Sequence, residues 1–378
     1  MEKLPVEEIR KLAEKVAVEK LAPHAAAIDK NRAFPWENIH TLRQAGFHRL
    51  ITDEKEEGMG YGRIAFASTV KEIAKACAST ALIYVSHSIV AKAIENGGSE
   101  TAKKTFLSEM LEGRGLGAFA VHEPDSGSNS GAIITRAKKE GGSYIVNGSK
   151  FFITSAGEAD VYLVLVRTDP EKGPQGMSTL LIEKGTPGLS FGRMEDKMGL
   201  RSTSSREISF SDCRVPVGNL IGKEGEGTQI IGKTVIGWGF FGAAGISVGV
   251  AKSATDLAIK HAKERIIAGQ PIAAHQAVQF MITDMILETE AAEALLTTCA
   301  TQADSNPDAA IFNGLKTKLF ASEKAVNVAN LAIQVMGGHG YCRDYIVERL
   351  FRDARGLTLH FKTSEWLRQD IAKAALGL

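Results

Sequence analysis

The chain reads as an α+β protein in which a β domain is set between two helical ones, and three observations predict it. Apolar residues recur at helical spacing through roughly the first third. From about residue 114 to 222 the period falls to two and turn residues multiply. Helical patterning then returns after Gly227 and runs nearly to Leu378. The expected division is an N-terminal helical domain over 1–113, a middle β domain over 114–222 and a C-terminal helical domain over 223–378. A length of 378 residues suits two or three domains with a large shared core.

Taken in order, Val6-Glu7-Glu8-Ile9-Arg10-Lys11-Leu12-Ala13 spaces its apolar residues as a helix face does, and Thr69 to Ile94 is Ala-rich with few breakers. The cluster Gly113, Gly115, Gly117 marks the change of regime. Tyr144-Ile145-Val146, then Asn147-Gly148, then Phe151-Phe152-Ile153-Thr154 predicts a hairpin, because Asn-Gly tolerates the positive φ of a tight turn. Val161 to Val166 and Ser178 to Ile182 predict further strands. The last region should break near Asn306-Pro307 and again at Gly337-Gly338. Within it, Val235 to Ala251 is 17 residues without a charge, short for a membrane span of about 20. Its glycines let other backbones approach, which predicts a buried helix near a ligand and no membrane span.

Composition excludes several functions. A net charge of +1 with 24% charged residues offers no surface for nucleic acid or another polyanion. Cys77, Cys213, Cys299 and Cys342 are scattered, which argues against a disulfide framework or a metal site and fits a reduced, cytoplasmic setting. The start, Met1-Glu2-Lys3-Leu4-Pro5, lacks the charged-then-apolar pattern of a secretory signal.

The chemistry-bearing segments come in a fixed order. Phe119-Ala120-Val121-His122-Glu123-Pro124-Asp125-Ser126-Gly127-Ser128-Asn129 is a turn-rich loop able to aim backbone N–H groups at a phosphate or a ring edge. Lys150-Phe151-Phe152-Ile153-Thr154-Ser155 is an aromatic strand. Lys197-Met198-Gly199-Leu200-Arg201 precedes Arg214-Val215-Pro216. Glu264-Arg265 leads to His275-Gln276-Ala277-Val278-Gln279-Phe280. Gln334-Val335-Met336-Gly337-Gly338-His339-Gly340-Tyr341 precedes Arg352-Asp353 and then Leu359-His360-Phe361-Lys362-Thr363-Ser364-Glu365. Each is a weak signal alone. Together, and in this order, they make the chain resemble the acyl-CoA dehydrogenase family over nearly its whole length.

That resemblance implies the acyl-CoA dehydrogenase fold, with a C-terminal four-helix domain, and FAD as cofactor. It implies FAD contacts at Val121, His122, Ser128, Phe152, Thr154, Arg265, His275, Gln276, Gln334, Gly337, Gly338, Thr363 and Glu365, those at Arg265 and at Gln334-Gly337-Gly338 reaching across a subunit boundary. Guanidinium donors suit a diphosphate, and glycines admit it closely. It further implies an acyl-CoA or related pantetheine thioester as substrate, a homotetramer or heterotetramer, and an electron-transfer flavoprotein as redox partner. Ser128, Trp238, Phe240 and Phe361 are the expected substrate contacts. Several positions depart from the family pattern. His122 stands where Thr is usual, with a redox-tuning role as one reading, Phe152 where Trp is usual, Asn129 for Asp, and Ala268 for an aromatic.

The largest departure concerns the base. The family removes an α proton with a Glu and passes a β hydride to flavin. One home of that Glu is Phe361 here. The other falls near Trp238-Gly239-Phe240, across a one-residue gap against the family pattern. No acidic residue lies between Glu226 and Asp256, or between Asp353 and Glu365. His87, on the helix bordering the acyl chain, and His360 are the candidate substitutes, and Lys362 is a possible cation beside the substrate. The expected function is oxidoreduction at the α,β carbons of a bulky, cyclic or otherwise modified acyl-CoA. The alternatives are elimination or oxygen activation on the same scaffold, or a glutamate-free and possibly non-catalytic subunit of a hetero-oligomer.

Overall fold

Pro5 has no N–H to contribute to a helix, and α1 (Val6–Val16) begins directly after it. The computed structural model describes residues 3–378, the side chain of Ser130 apart; Met1 and Glu2, where the reading of the N-terminus begins, lie outside it. α1 runs through one π-helical turn, Ala17–Leu21, into α2 (Ala22–Asn31), and α3 (Trp36–Gln44) follows Pro35. The Ala-rich stretch from Thr69 to Ile94 is two helices rather than one. α4 (Arg63–Ala76) and α5 (Ala78–Gly97) are separated by Cys77, whose extended backbone (φ -152, ψ 101) redirects the chain. α5 is buried along most of its length. The short α6 (Glu100–Ala102) and α7 (Ser108–Leu111) then lead into the glycine cluster.

The middle region is one eight-stranded sheet in the order β6-β7-β3-β2-β4-β5-β8, with β1 (Gly117–Ala120) added to β4 in parallel. Its other strands are β2 (Arg136–Glu140), β3 (Ser143–Ile153), β4 (Val161–Arg167), β5 (Met177–Glu183), β6 (Leu189–Phe191), β7 (Arg206–Pro216) and β8 (Leu220–Ile221). β4 and β5 are apolar on both faces and nearly wholly buried, which explains their unbroken Val/Leu runs.

The expected hairpin at Asn147-Gly148 does not form, because β3 continues straight through it. The dipeptide instead makes a bulge against β7, where the register shifts between Val146 and Gly148. Asn147 and Asp212 on β7 exchange two hydrogen bonds, at 2.9 and 3.1 Å. Gly148 (φ 139) passes so close to Thr135 that an added Cβ would lie 2.7 Å from its Oγ1. The positive φ that predicted a turn is used for a close approach.

In the last third, α8 (Gly227–Ile231) passes into an eight-residue π-helical segment, Gly232–Gly239, and then α9 (Phe240–Glu264). The uncharged run lies in this continuous helix, which is long and apolar enough to cross a membrane but is enclosed by other helices. A ribbon of β9 (Ile266–Ile267) and β10 (Gln270–Pro271) turns the chain into α10 (Gln276–Ser305). α11 (Ala310–Met336), α12 (Gly338–Tyr341), α13 (Ile346–Leu357) and α14 (Ser364–Leu376) complete a bundle around α9. The expected breaks at Asn306-Pro307 and Gly337-Gly338 are present.

Candidate functional site

Three segments distant in sequence meet where the sheet abuts the bundle. The loop after β1 is anchored by Lys150, whose buried ammonium donates to the Glu123 carboxylate at 2.8 Å and the Val121 carbonyl at 3.1 Å. Glu123 also accepts the N–H groups of Ile134 and Thr135. Burial pushes Lys150 down to about 8, against the pull of Glu123, while Lys150 and those N–H donors outweigh burial and hold Glu123 below its usual range. The pair is therefore ionised at neutral pH. The Phe151 N–H donates to the His122 carbonyl at 2.9 Å, joining loop to strand. The third segment, between α13 and α14, joins when the Thr363 N–H donates to Ser128 Oγ at 3.3 Å, across 235 residues of sequence. Val121, His122, Ser128, Phe152, Thr154 and Thr363 thus share one cleft, with Glu365 exposed on the first turn of α14.

The cleft is held in uncommon backbone conformations. Phe152 (φ 53), Ser155 (φ 62), Leu200 (φ 50), Ser204 (φ 45) and Phe361 (φ 62) are non-glycine residues in the left-handed region. Two of them are pinned from other segments: Ser155 N–H donates to the Thr203 carbonyl at 2.7 Å, and Leu200 N–H to the buried Asp353 carboxylate at 2.6 Å. Phe152, packed edge-on against Phe151, leaves 55% of its surface exposed, with no other aromatic partner among the described residues.

Phe361 is buried, stacked on Phe119 (ring centres 5.6 Å, 18° between planes) and edge-on to Phe240 (6.1 Å, 77°). A Cβ placed on Gly239 would sit 3.2 Å from the Phe361 ring and 2.5 Å from Ile89 Cδ1. Gly239 and Phe361, at or beside the two positions expected for the base from the sequence, therefore meet at one spot, which the phenyl ring fills.

The proposed substitutes do not meet it. His87 lies about half a helical turn from Val85 and Ile89, the α5 residues that face α9. Its Nδ1 accepts the Gly117 N–H at 3.3 Å, its ring lies 4.3 Å from His48, and burial, with His48 and Arg43 nearby, pushes it well below its usual pKa. His360 is pushed down to about 3 by burial and by neighbouring Lys197, Lys318 and His122, so its neutral imidazole is a very weak proton acceptor. Lys362 turns away, pairing with Asp370 on α14 beside the Trp366 ring. Trp238 packs in the core, the Arg63 guanidinium 4.4 Å and the Lys92 ammonium 4.9 Å from its ring. Its contacts are thus with the N-terminal helices, while Phe240 touches Phe361.

Arg265, His275, Gln276, Gln334, Gly337 and Gly338 gather elsewhere, at the bundle end where α9 and α11 stop and α10 starts. All six are exposed. The Ile272 N–H donates to the Arg265 carbonyl at 2.9 Å, and His261 of α9 lies 5.7 Å from His339 of α12. An added Cβ would touch nothing within 4 Å at Gly337 or Gly338, so the backbone there is open to a ligand. Among the described residues, no hydrogen bond joins this end to the cleft. Both halves fit parts of FAD: an open aromatic face and turn backbone for the ring system, guanidinium and glycines for the diphosphate.

Sequence reasoning missed Lys318, whose buried Nζ donates to the Lys362 carbonyl at 2.6 Å. A signal was present: Lys318 falls on the buried stripe Leu315, Ser322, Ala325, Ala329 of α11, where a charge needs explaining.

Comparison with known proteins places these features. Family models match residues 6–114 as "Acyl-CoA dehydrogenase, N-terminal domain", 118–213 as the middle domain and 225–376 as the C-terminal domain. Acryloyl-CoA reductase (NADH) of Anaerotignum propionicum is 38% identical over 372 residues, covering 98% of this chain and 94% of that protein. Cyclohex-1-ene-1-carbonyl-CoA dehydrogenase of Syntrophus aciditrophicus is 38% identical over 377 residues, covering 99% and 90%. A chain solved in work on the electron transferring flavoprotein of Acidaminococcus fermentans superposes with a TM-score of 0.95 at 35% identity, covering 100% of both.

Proposed function

The chain belongs to the acyl-CoA dehydrogenase family, and on that footing we propose that it performs FAD-dependent oxidoreduction at the α,β carbons of a bulky, cyclic or otherwise modified acyl-CoA. Its class is that of a flavoprotein oxidoreductase acting on CoA thioesters. When bound, FAD supplies the hydride acceptor. The observation that supports the proposal is the packing of Phe119, Phe240 and Phe361 into an apolar aromatic wall, at the position we read as the home of the family's base. A phenyl wall accepts no proton, but it offers flat apolar surface to a ring-bearing or branched acyl group. That one relative is named for cyclohex-1-ene-1-carbonyl-CoA supports a ring-bearing acyl group.

The same wall supports a second reading, chemistry that needs no α-proton base, such as elimination of a leaving group. The separation of the two FAD half-sites supports a multimer in which a second subunit brings the bundle end to the cleft. The likeness to the chain from the flavoprotein study supports an electron-transferring flavoprotein as partner.

The test is turnover of butyryl-, octanoyl-, palmitoyl- and cyclohexanecarbonyl-CoA with an artificial acceptor. Straight-chain substrates should run about 100- to 10,000-fold below rates usual for enzymes with a general base. Cyclohexanecarbonyl-CoA, whose α carbon carries a hydrogen, should bleach the flavin, the hydride going to FAD and the α proton to solvent. Ordinary rates on butyryl-CoA would defeat the proposal, and elimination products without net oxidation would favour the second reading.

A further inference from the structure

We propose that Lys318 is a positioning residue that holds Phe361 in its strained turn and thereby sets the shape of the wall an acyl group meets. The second half of this rests on Phe361 lining the acyl site; the first half stands on the turn itself. Phe361 is the apex of a three-residue turn, closed by the Lys362 N–H donating to the His360 carbonyl at 2.8 Å. With φ 62 at the apex, this is the rarer and more strained form of γ-turn, unusual for a residue with a Cβ. Such a conformation persists only where the surroundings fix it from several sides.

Lys318 does so from α11. Its ammonium donates to the Lys362 carbonyl at 2.6 Å and is 3.4 Å from the Thr358 carbonyl, so it ties together the two ends of the segment that carries Phe361. The Thr363 N–H to Ser128 Oγ bond anchors the segment on its other side. The Lys318 side chain is fully buried, and it makes no salt bridge to a carboxylate among the described residues. An ammonium there is costly unless its donors are used. Burial accordingly pushes it down to about 7, against the more distant pull of Glu323 and Glu365. A methionine would fill the same space without that cost, so packing alone does not account for a lysine here.

The test is a double-mutant cycle on FAD-loaded protein, with Lys318→Met, Phe361→Gly and both together. Glycine takes φ 62 without strain, so a glycine turn has little need of being held. Lys318→Met should lower the unfolding midpoint by about 4 °C or more beyond what it does in the Phe361→Gly background. Should Lys318→Met fail to fold while the double variant folds, the coupling is shown in stronger form. Equal shifts in the two backgrounds, or failure of both Lys318→Met proteins to fold, would overturn the proposal.

The second half has its own readout. Where Lys318→Met folds with full FAD content, its Kd for butyryl-CoA should change at least about threefold, and Lys318→Arg, which keeps donors at the carbonyls, should recover part of the change. Coupling with an unaltered Kd overturns the wall-shaping half. A wild-type flavin spectrum that no acyl-CoA perturbs removes the acyl reading while leaving the stability cycle intact.

Discussion

Phe361 and Gly239 show how one spot can be closed from two directions. Phe361→Glu puts a carboxylate among Phe119 and Phe240, where desolvation raises its pKa. Its ionised, proton-accepting form therefore grows as pH rises, and dehydrogenation of butyryl-CoA should emerge on the alkaline side first. A variant with full FAD content and no gain between pH 6 and about 9 would contradict this. Gly239→Glu should fail alone, since its Cβ would press on Ile89 and the Phe361 ring. Combined with Phe361→Gly it gains the ring's space, and it should recover stability lost by the single variant. At this scale the sequence shows, without coordinates of any kind, that residues 227–255 and 354–364 hold no Asp or Glu. It did not disclose direction. That His87 faces His48, and that Lys362 reaches Asp370, depends on helix phase and on partners brought in by folding.

Among the elements, α4, the π-helical segment and α10 share one clamp. Arg63 opens α4, donates to the Gly237 carbonyl at 2.7 Å and pairs with Asp304 at the end of α10. Asp304 also accepts the N–H groups of Arg63 and Ile64, capping α4 from 240 residues away. Arg63→Met strands the carbonyl and the carboxylate, and should cost about 3 kcal/mol by denaturant unfolding; a loss below about 1 kcal/mol would show that the clamp is incidental.

The junction between α5 and the segment before α4 carries a pH dependence. Burial pushes His48 down to about 4, with Arg43 and His40 adding to it, and His87 is well below its usual value. The unfolded chain protonates both near pH 6.5, so stability is complete above that pH and falls as pH drops. His48 alone accounts for about 3 kcal/mol by pH 4. Asp353, raised to about 6 by burial, acts in the opposite sense, so the diagnostic is a difference. His48→Phe should lose less stability than the wild type between pH 7 and 4.5, and equal losses would rule His48 out.

Element types were legible where the pattern was local: the apolar alternation at Tyr144–Val146 in β3, the apolar runs of β4 and β5, the break at Asn306-Pro307. The Asn-Gly bulge and the Cys77 break were not, because the same φ preference serves a turn or a close approach, and Thr135 and Asp212 decide which.

For the whole molecule, the ordered motifs gave the family, while their distribution between two distant faces needed three dimensions. Arg265 is exposed, pairs with no carboxylate among the described residues, and stands beside open glycines at the bundle end. Arg265→Ala should weaken FAD retention by about 10-fold or more, the worth of a charge-assisted bond to phosphate. Flavin released on gel filtration measures it. Retention equal to wild type would mean that this face does not hold the diphosphate. Under the proposed assembly, in which a second subunit brings the bundle end to the cleft, loss of flavin should accompany dissociation on dilution.

The π-helical segment Gly232–Gly239 gives chain length a chemical meaning. A π stretch is an α-helix carrying a surplus residue, and deleting one residue would return it to ordinary geometry, turning everything upstream by about 100° relative to α9. Trp238 would leave Arg63 and Lys92, Gly237 would lose its donor, and a different side chain would face the Phe361 ring. A single codon deletion would thus exchange the group that faces the Phe361 ring while leaving every other residue of the chain unchanged.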